Sequence, residues 1–141
     1  MAAKFPHEYG VDFSWTKDRI GHATSTGEGV SMLVGPPRQF DGPGQVWSPE
    51  DLFLASIQAC LMTTFFALAD RRKLKVSSFE SHIRGDLDKT KEGLLFTKIV
   101  AEITVSTDNN EKAERLLHLS DDYCIISNAL INRPELELKF I

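Results

Sequence analysis

Cysteine is scarce: the 141 residues carry only Cys60 and Cys124, too few and too far apart for a disulfide-stapled secreted scaffold, and neither sits in a CxxC pair. Basic runs are equally short. The longest is Arg71-Arg72-Lys73, and sixteen basic against twenty acidic residues leave a net charge of −4, so no nucleic-acid partner is expected. The four histidines, His7, His22, His82 and His118, are scattered without metal-ligand spacing, and neither a metal nor any other cofactor is expected. The opening MAAKFPHEYG lacks the charged, apolar, small-residue order of a secretory signal, which predicts a cytoplasmic protein. Internal repeats are absent, and 42% hydrophobic with 26% charged residues excludes disordered and collagen-like classes. A single domain over residues 1–141 is expected, long enough to bury roughly two thirds of its unfolded surface.

Residues 10–34 read as a small antiparallel meander: GVDFSW alternates, KDRIG turns, and HATSTGEG leads into VSMLV. The glycines and prolines of GPPRQFDGPGQVW, residues 35–47, exclude helix and central strand and make a surface loop. A helix then starts with Ser48 as N-cap, Pro49 at the first helical position, and Glu50 and Asp51 against the positive end of its dipole. From Leu52 to Ala69 apolar residues occupy nearly every side, interrupted by Ser56, Gln58, Thr63 and Thr64. Such a helix is expected to be buried all round.

A membrane span of about eighteen residues is the rival reading, and the basic flank at 71–73 would suit it. The rest of the chain argues against a membrane. VSSFESHIRGDLD (76–88) and LLFTKIVAEITVS (94–106) read as two long strands joined by a KTKEG turn, and their apolar faces need a cover that a central helix supplies. A second helix follows in EKAERLLHLSDDYC, with Asp108 or Asn110 as its cap. Cys124 falls in YCIISNALINRP, where helix restarts at Ser127 and Pro134 stops it, and LELKFI closes as a strand.

Cys60 and Cys124 each admit a bland reading as small apolar fillers. Reactivity needs a thiolate, and mid-helix burial pushes a thiol's pKa up unless a cation reaches it. Arg19 in the KDRIG turn and Arg38 in the GPPRQFDG loop are the candidates, each otherwise a solvated loop charge. Glu50 is otherwise compensation of the helix dipole. If Glu50 and Cys60 share one helix, ten residues at about 1.5 Å each set them roughly 15 Å apart along its axis, so they cannot touch within it. The helix then begins later than Ser48, or Glu50 acts through an arginine, or it serves a partner chain.

SPEDLFLASIQAC at 48–60, with Glu50 ten residues before Cys60, and CIISNAL at 124–130 resemble the osmotically inducible protein C and organic hydroperoxide resistance (OsmC/Ohr) superfamily. The order of elements is similar over nearly the whole chain. The resemblance implies an α+β, OsmC-like fold, with antiparallel sheets around a long buried central helix, built as an intertwined homodimer with two sites at the subunit interface. It further implies a thiol peroxidase for organic hydroperoxides, with hydrogen peroxide as a secondary substrate, regenerated by a lipoyl-type or other small dithiol. Cys60 would be the peroxidatic cysteine, Cys124 the resolving cysteine, Glu50 the acid that positions an arginine, and Arg19 that arginine, with Arg38 as the alternative. Ile125 stands where peroxidase-grade members carry proline, and R-I-G at 19–21 lacks a preceding glycine, which points to the broader OsmC-like branch. Leu61, Met62, Phe53, Phe65 and Phe66, with Phe40 and Trp47 at an entrance, would give a peroxide apolar walls. The alternative function is a non-enzymatic dimer that binds an apolar small molecule, its cysteines merely packed.

Overall fold

The computed structural model describes residues 4–141, which form two compact units, one up to Leu52 and the other Phe53–Ile141. In the first, strands β1 (Val11–Lys17), β2 (Ile20–Ser25) and β3 (Ser31–Val34) form the expected antiparallel meander in the order β1-β2-β3. The β1–β2 turn places Asp18 at φ 51°, a left-handed conformation that aspartate tolerates, and the Trp15 indole N–H donates to its carbonyl at 2.8 Å. Register sets Phe13 opposite Ala23 and Trp15 opposite Gly21. The Phe13 ring lies so close over Gly21 that a Cβ there would collide with it. Val11, Phe13 and Trp15 share one face by the two-residue period and stay 60–74% exposed. The loop at 35–47 holds one 3-10 turn, Arg38–Phe40, and ends where Trp47 pairs with Val34.

Helix α1, Pro49–Arg71, begins where the sequence placed it. Ser48 Oγ accepts the Asp51 N–H at 3.0 Å while an Asp51 carboxylate oxygen accepts the Ser48 N–H at 3.0 Å, a reciprocal cap. In the second unit, β4 (Val76–Thr90) and β5 (Gly93–Thr107) pair antiparallel about a turn at Lys91 and Glu92. Helix α2 (Asn110–Tyr123) follows, then a 3-10 turn at Ser127–Ala129, and β6 (Glu135–Phe140) joins β5 in parallel. The second sheet is therefore mixed. The cap of α2 is Asn109, whose side chain accepts the Lys112 N–H at 3.0 Å, and neither Asp108 nor Asn110 takes that role. Asp108 instead accepts the Lys75 N–H at 3.1 Å.

One sheet face carries Phe79 and Ile83 of β4, Ile99, Ala101, Ile103 and Val105 of β5, and Leu136, Leu138 and Phe140 of β6, aligned across the ladder. Onto the same core pack Ala113, Leu116 and Leu117 of α2. From α1 come Ile57, Leu61, Phe65, Leu68 and Ala69, at spacings of four, four, three and one, which is a single helical stripe. This corrects the expectation of a helix buried all round: in the single chain one face is covered, and Met62 and Phe66 on the rest are 39% and 36% exposed. The helix is long and apolar enough to cross a membrane, yet its stripe belongs to the core that β5 and α2 complete. Gly85 lets α1 approach the sheet, since a Cβ there would press on the Phe96 ring and the Leu54 methyl.

Candidate active site

Cys60 sits half-buried in the middle of α1, and Cys124 fully buried just past the end of α2, both as free thiols. The chain turns sharply at Cys124. Its N–H donates to the Asp121 carbonyl at 3.1 Å, its backbone is extended (φ −67°, ψ 109°), and its carbonyl accepts the Asn128 N–H at 2.9 Å. Its sulfur accepts the Ser127 N–H at 3.3 Å. Cys124 thus caps the following turn as a serine would, and the turn's first N–H groups, those of Ile125 and Ile126, are left for another acceptor.

That acceptor is Cys60. Burial pushes its thiol up, but hydrogen bonds from Cys124, the Ile126 backbone, the Thr64 hydroxyl and the Ile125 backbone together outweigh it, and the thiol lies below its ordinary pKa. Cys124 moves the other way. Burial raises it most, the hydrogen bond it gives to Cys60 raises it further, and Ser127 opposes both without reversing them. The interaction between the two sulfurs thus favours the anion on Cys60 and the proton on Cys124. Ile125 contributes an N–H that a proline at this position could not supply.

Arg133 ties this segment down. Its Nη1 donates to the Asn128 side-chain oxygen at 2.6 Å and its Nη2 to the Asp121 carbonyl at 2.7 Å, while Asn128 Nδ2 donates to the Asp122 carbonyl at 3.2 Å. Of the residues singled out from the sequence, the structure brings Cys60 and Cys124 together. Arg19 and Glu50 lie in the N-terminal unit. There Arg19 Nη2 donates to the carbonyls of Phe40 at 2.9 Å and Asp41 at 3.1 Å, and Arg38 packs its guanidinium over Gly44, where φ +75° favours glycine. Glu50 Oε2 is buried and has no hydrogen-bond partner among the described residues. Because α1 is unbroken from Pro49, the option of a later helix start is removed.

Thr64 was missed by sequence reasoning, although its position one turn after Cys60 was visible there. The Ile125 and Ile126 amides left no such signal, because backbone direction at a turn is not written in residue type. The apolar walls need correction as well. At about 100° per residue, Phe53 and Thr64 fall within about 40° of Cys60 on α1, whereas Leu61, Met62, Phe65 and Phe66 lie about 100° or more away. Leu61 and Phe65 are core residues.

A lowered thiol keeps its anion at more acidic pH, so Cys60 is expected to be alkylated by iodoacetamide at a pH where Cys124 is inert. Cys124→Ala removes one donor and should move the Cys60 rate profile toward higher pH. Mass-resolved alkylation across pH measures both, and identical profiles for the two thiols would contradict the geometry.

Residues 42–139 match the family described as OsmC-like protein. The chain belongs to that family. Its fold accompanies it in solved structures: an OsmC-like protein of unknown function from Vibrio cholerae superposes with a TM-score of 0.84 at 20% identity, covering 96% of this chain and 100% of that one. An organic hydroperoxide resistance protein OsmC from Legionella pneumophila gives 0.72 at 22% identity, with 97% and 98% covered. The uncharacterized protein YmaD of Bacillus subtilis is 24% identical over 139 residues, 94% of this OsmC-like chain and 93% of its own length. The α+β, OsmC-like fold expected from the resemblance is thus the observed one.

Proposed function

We propose that this OsmC-like protein is a cytoplasmic thiol peroxidase that reduces organic hydroperoxides, with Cys60 as the peroxidatic and Cys124 as the resolving cysteine. The opposite displacement of the two neighbouring thiols carries the reading: burial alone would raise both, yet Cys60 is lowered by the donors around it. The Cys60 thiolate attacks one peroxide oxygen, the O–O bond breaks, and the departing alkoxide takes a proton to leave as alcohol. The sulfenic acid then meets Cys124; the S–S bond forms, and the hydroxyl leaves as water with the Cys124 proton. A small or lipoyl-type dithiol reduces that disulfide by exchange and is itself oxidised.

The reading includes a homodimer and an arginine. The exposed face of Val11, Phe13 and Trp15 and the uncovered side of α1 are apolar surface that a second copy would bury. The unpartnered buried oxygen of Glu50 calls for a cation. Arg19 is assigned that role because only its Nη2 is engaged among the described residues, with Arg38 as the alternative, and either chain of the dimer could supply it.

Apolar side chains that follow Cys124 in its turn are the exposed Ile125 and the part-buried Ile126. An alkyl group gains on the order of 0.8 kcal/mol per buried methylene against them, about fourfold in affinity, and hydrogen peroxide gains nothing. Cumene hydroperoxide is therefore expected to be reduced at least about tenfold more efficiently than hydrogen peroxide with dihydrolipoamide as reductant. The decisive test counts free thiols before and after one equivalent of cumene hydroperoxide. Loss of both together supports the peroxidase, and two unreacted thiols would leave the apolar-ligand alternative.

A further inference from the structure

We propose that Ser127 is a positioning residue for the resolving thiol: its buried hydroxyl, unpaired at rest, donates to the Cys124 sulfur as that sulfur gives up its proton and attacks Cys60. Ser127 is fully buried, and its Oγ makes no hydrogen bond to any described residue. A buried hydroxyl without a partner costs stability. Replacing it with alanine would relieve that cost, so its presence asks for a state in which it is used.

The geometry names that state. Ser127 N–H already donates to Cys124 Sγ at 3.3 Å, which fixes the residue beside the sulfur it would serve. Arg133, through Asn128, holds the turn in place. In the resting pair the proton is favoured on Cys124, and a neutral sulfur attracts a second donor only weakly. Once Cys60 carries its hydroxyl as sulfenic acid, it no longer needs that proton. Cys124 must then ionise in a buried setting, where the backbone N–H alone is a modest compensation. A rotation about the Ser127 side chain adds an O–H donor to the same sulfur, and charge-assisted bonds of this kind are the stronger ones. The nearby hydroxyl already acts to lower the Cys124 thiol, though without aligned hydrogen-bond geometry.

Among the described residues, the titratable group acting on Cys124 from α1 is Cys60. From the end of α2, the Asp121 carboxylate pairs with Arg133 at 3.4 Å. The balanced step is Cys124 thiol plus Cys60 sulfenic acid giving disulfide plus water, so Ser127 is neither consumed nor oxidised. Its role in that step rests on the peroxidase reading, whereas its hold on the Cys124 proton does not.

Two measurements separate them. In Cys60→Ala protein, ultraviolet thiolate absorbance follows the Cys124 titration alone, and adding Ser127→Ala is expected to move its midpoint upward by about one pH unit, tenfold less thiolate near neutrality. With Cys60 present, rapid mixing with one equivalent of cumene hydroperoxide should find disulfide formation in Ser127→Ala slowed about tenfold relative to the preceding oxidation of Cys60, the deficit vanishing once pH exceeds the shifted midpoint. A packing defect would slow it at every pH. An unchanged midpoint overturns the proposal, as does a shifted midpoint with an unchanged rate of disulfide formation. Should peroxide leave both thiols of the unsubstituted protein free, the peroxidase reading falls, and the titration alone decides whether Ser127 governs Cys124.

Discussion

Cys60→Ser is expected to bring hydroperoxide turnover down to the background rate of the dithiol, while Cys124→Ala consumes roughly one equivalent of peroxide and then stalls with Cys60 oxidised. The asymmetry follows from the site. A serine hydroxyl placed among the Ile125, Ile126, Thr64 and Cys124 donors remains a neutral alcohol at working pH and has no nucleophilic anion to offer the O–O bond. Removing Cys124 leaves the other three donors, so a first attack still occurs, more slowly near neutral pH because one hydrogen bond is gone. What is lost is the exit from the sulfenic acid. Further peroxide then drives Cys60 to the sulfinic form, visible by mass spectrometry. Steady-state turnover with dihydrolipoamide, read beside a single-turnover peroxide count, checks both variants. Equal turnover in the two would sink the peroxidase assignment.

Much of this arrangement was legible in the sequence. Ser48 and Asp51 announce the start of α1 by residue type, and the alternation in 94–106 announces β5, because caps and periodicity are local physics. The cysteine pair was legible as well, though through resemblance rather than spacing: sixty-four positions separate Cys60 from Cys124, and only the packing of α1 beside the end of α2 joins them. The parallel direction of β6 was not legible, since LELKFI alternates alike in either orientation. Nor was the single buried stripe of α1. A helix apolar on every side reads as buried on every side, but Ile57, Leu61 and Phe65 face the sheet while Met62 and Phe66 do not. Composition reports how apolar a helix is on every side, not which side the chain's own core covers, and the rest of α1 is left at least partly exposed in the single chain.

That difference predicts a contrast between neighbours. Phe65 is fully buried and its ring lies 5.8 Å from Phe79, whereas Phe66, 5.7 Å from the same ring, is 36% exposed. Phe65→Ala empties the centre of the core between α1 and the sheet and is expected to cost about 3–5 kcal/mol, a large share of the stability of a domain this size. Phe66→Ala should cost clearly less in the chain itself, because part of its ring never left solvent. If a second copy covers this side of α1, the loss from Phe66→Ala reappears as a weaker association. Urea titrations at two protein concentrations a hundredfold apart distinguish the effects: Phe65→Ala shifts the midpoint at both, while Phe66→Ala shifts it mainly at the lower one, where mass action favours the separated chains. Equal shifts for Phe66→Ala at both concentrations would mean that this face of the helix is solvent-facing surface, and that the apolar residues on it serve no second copy.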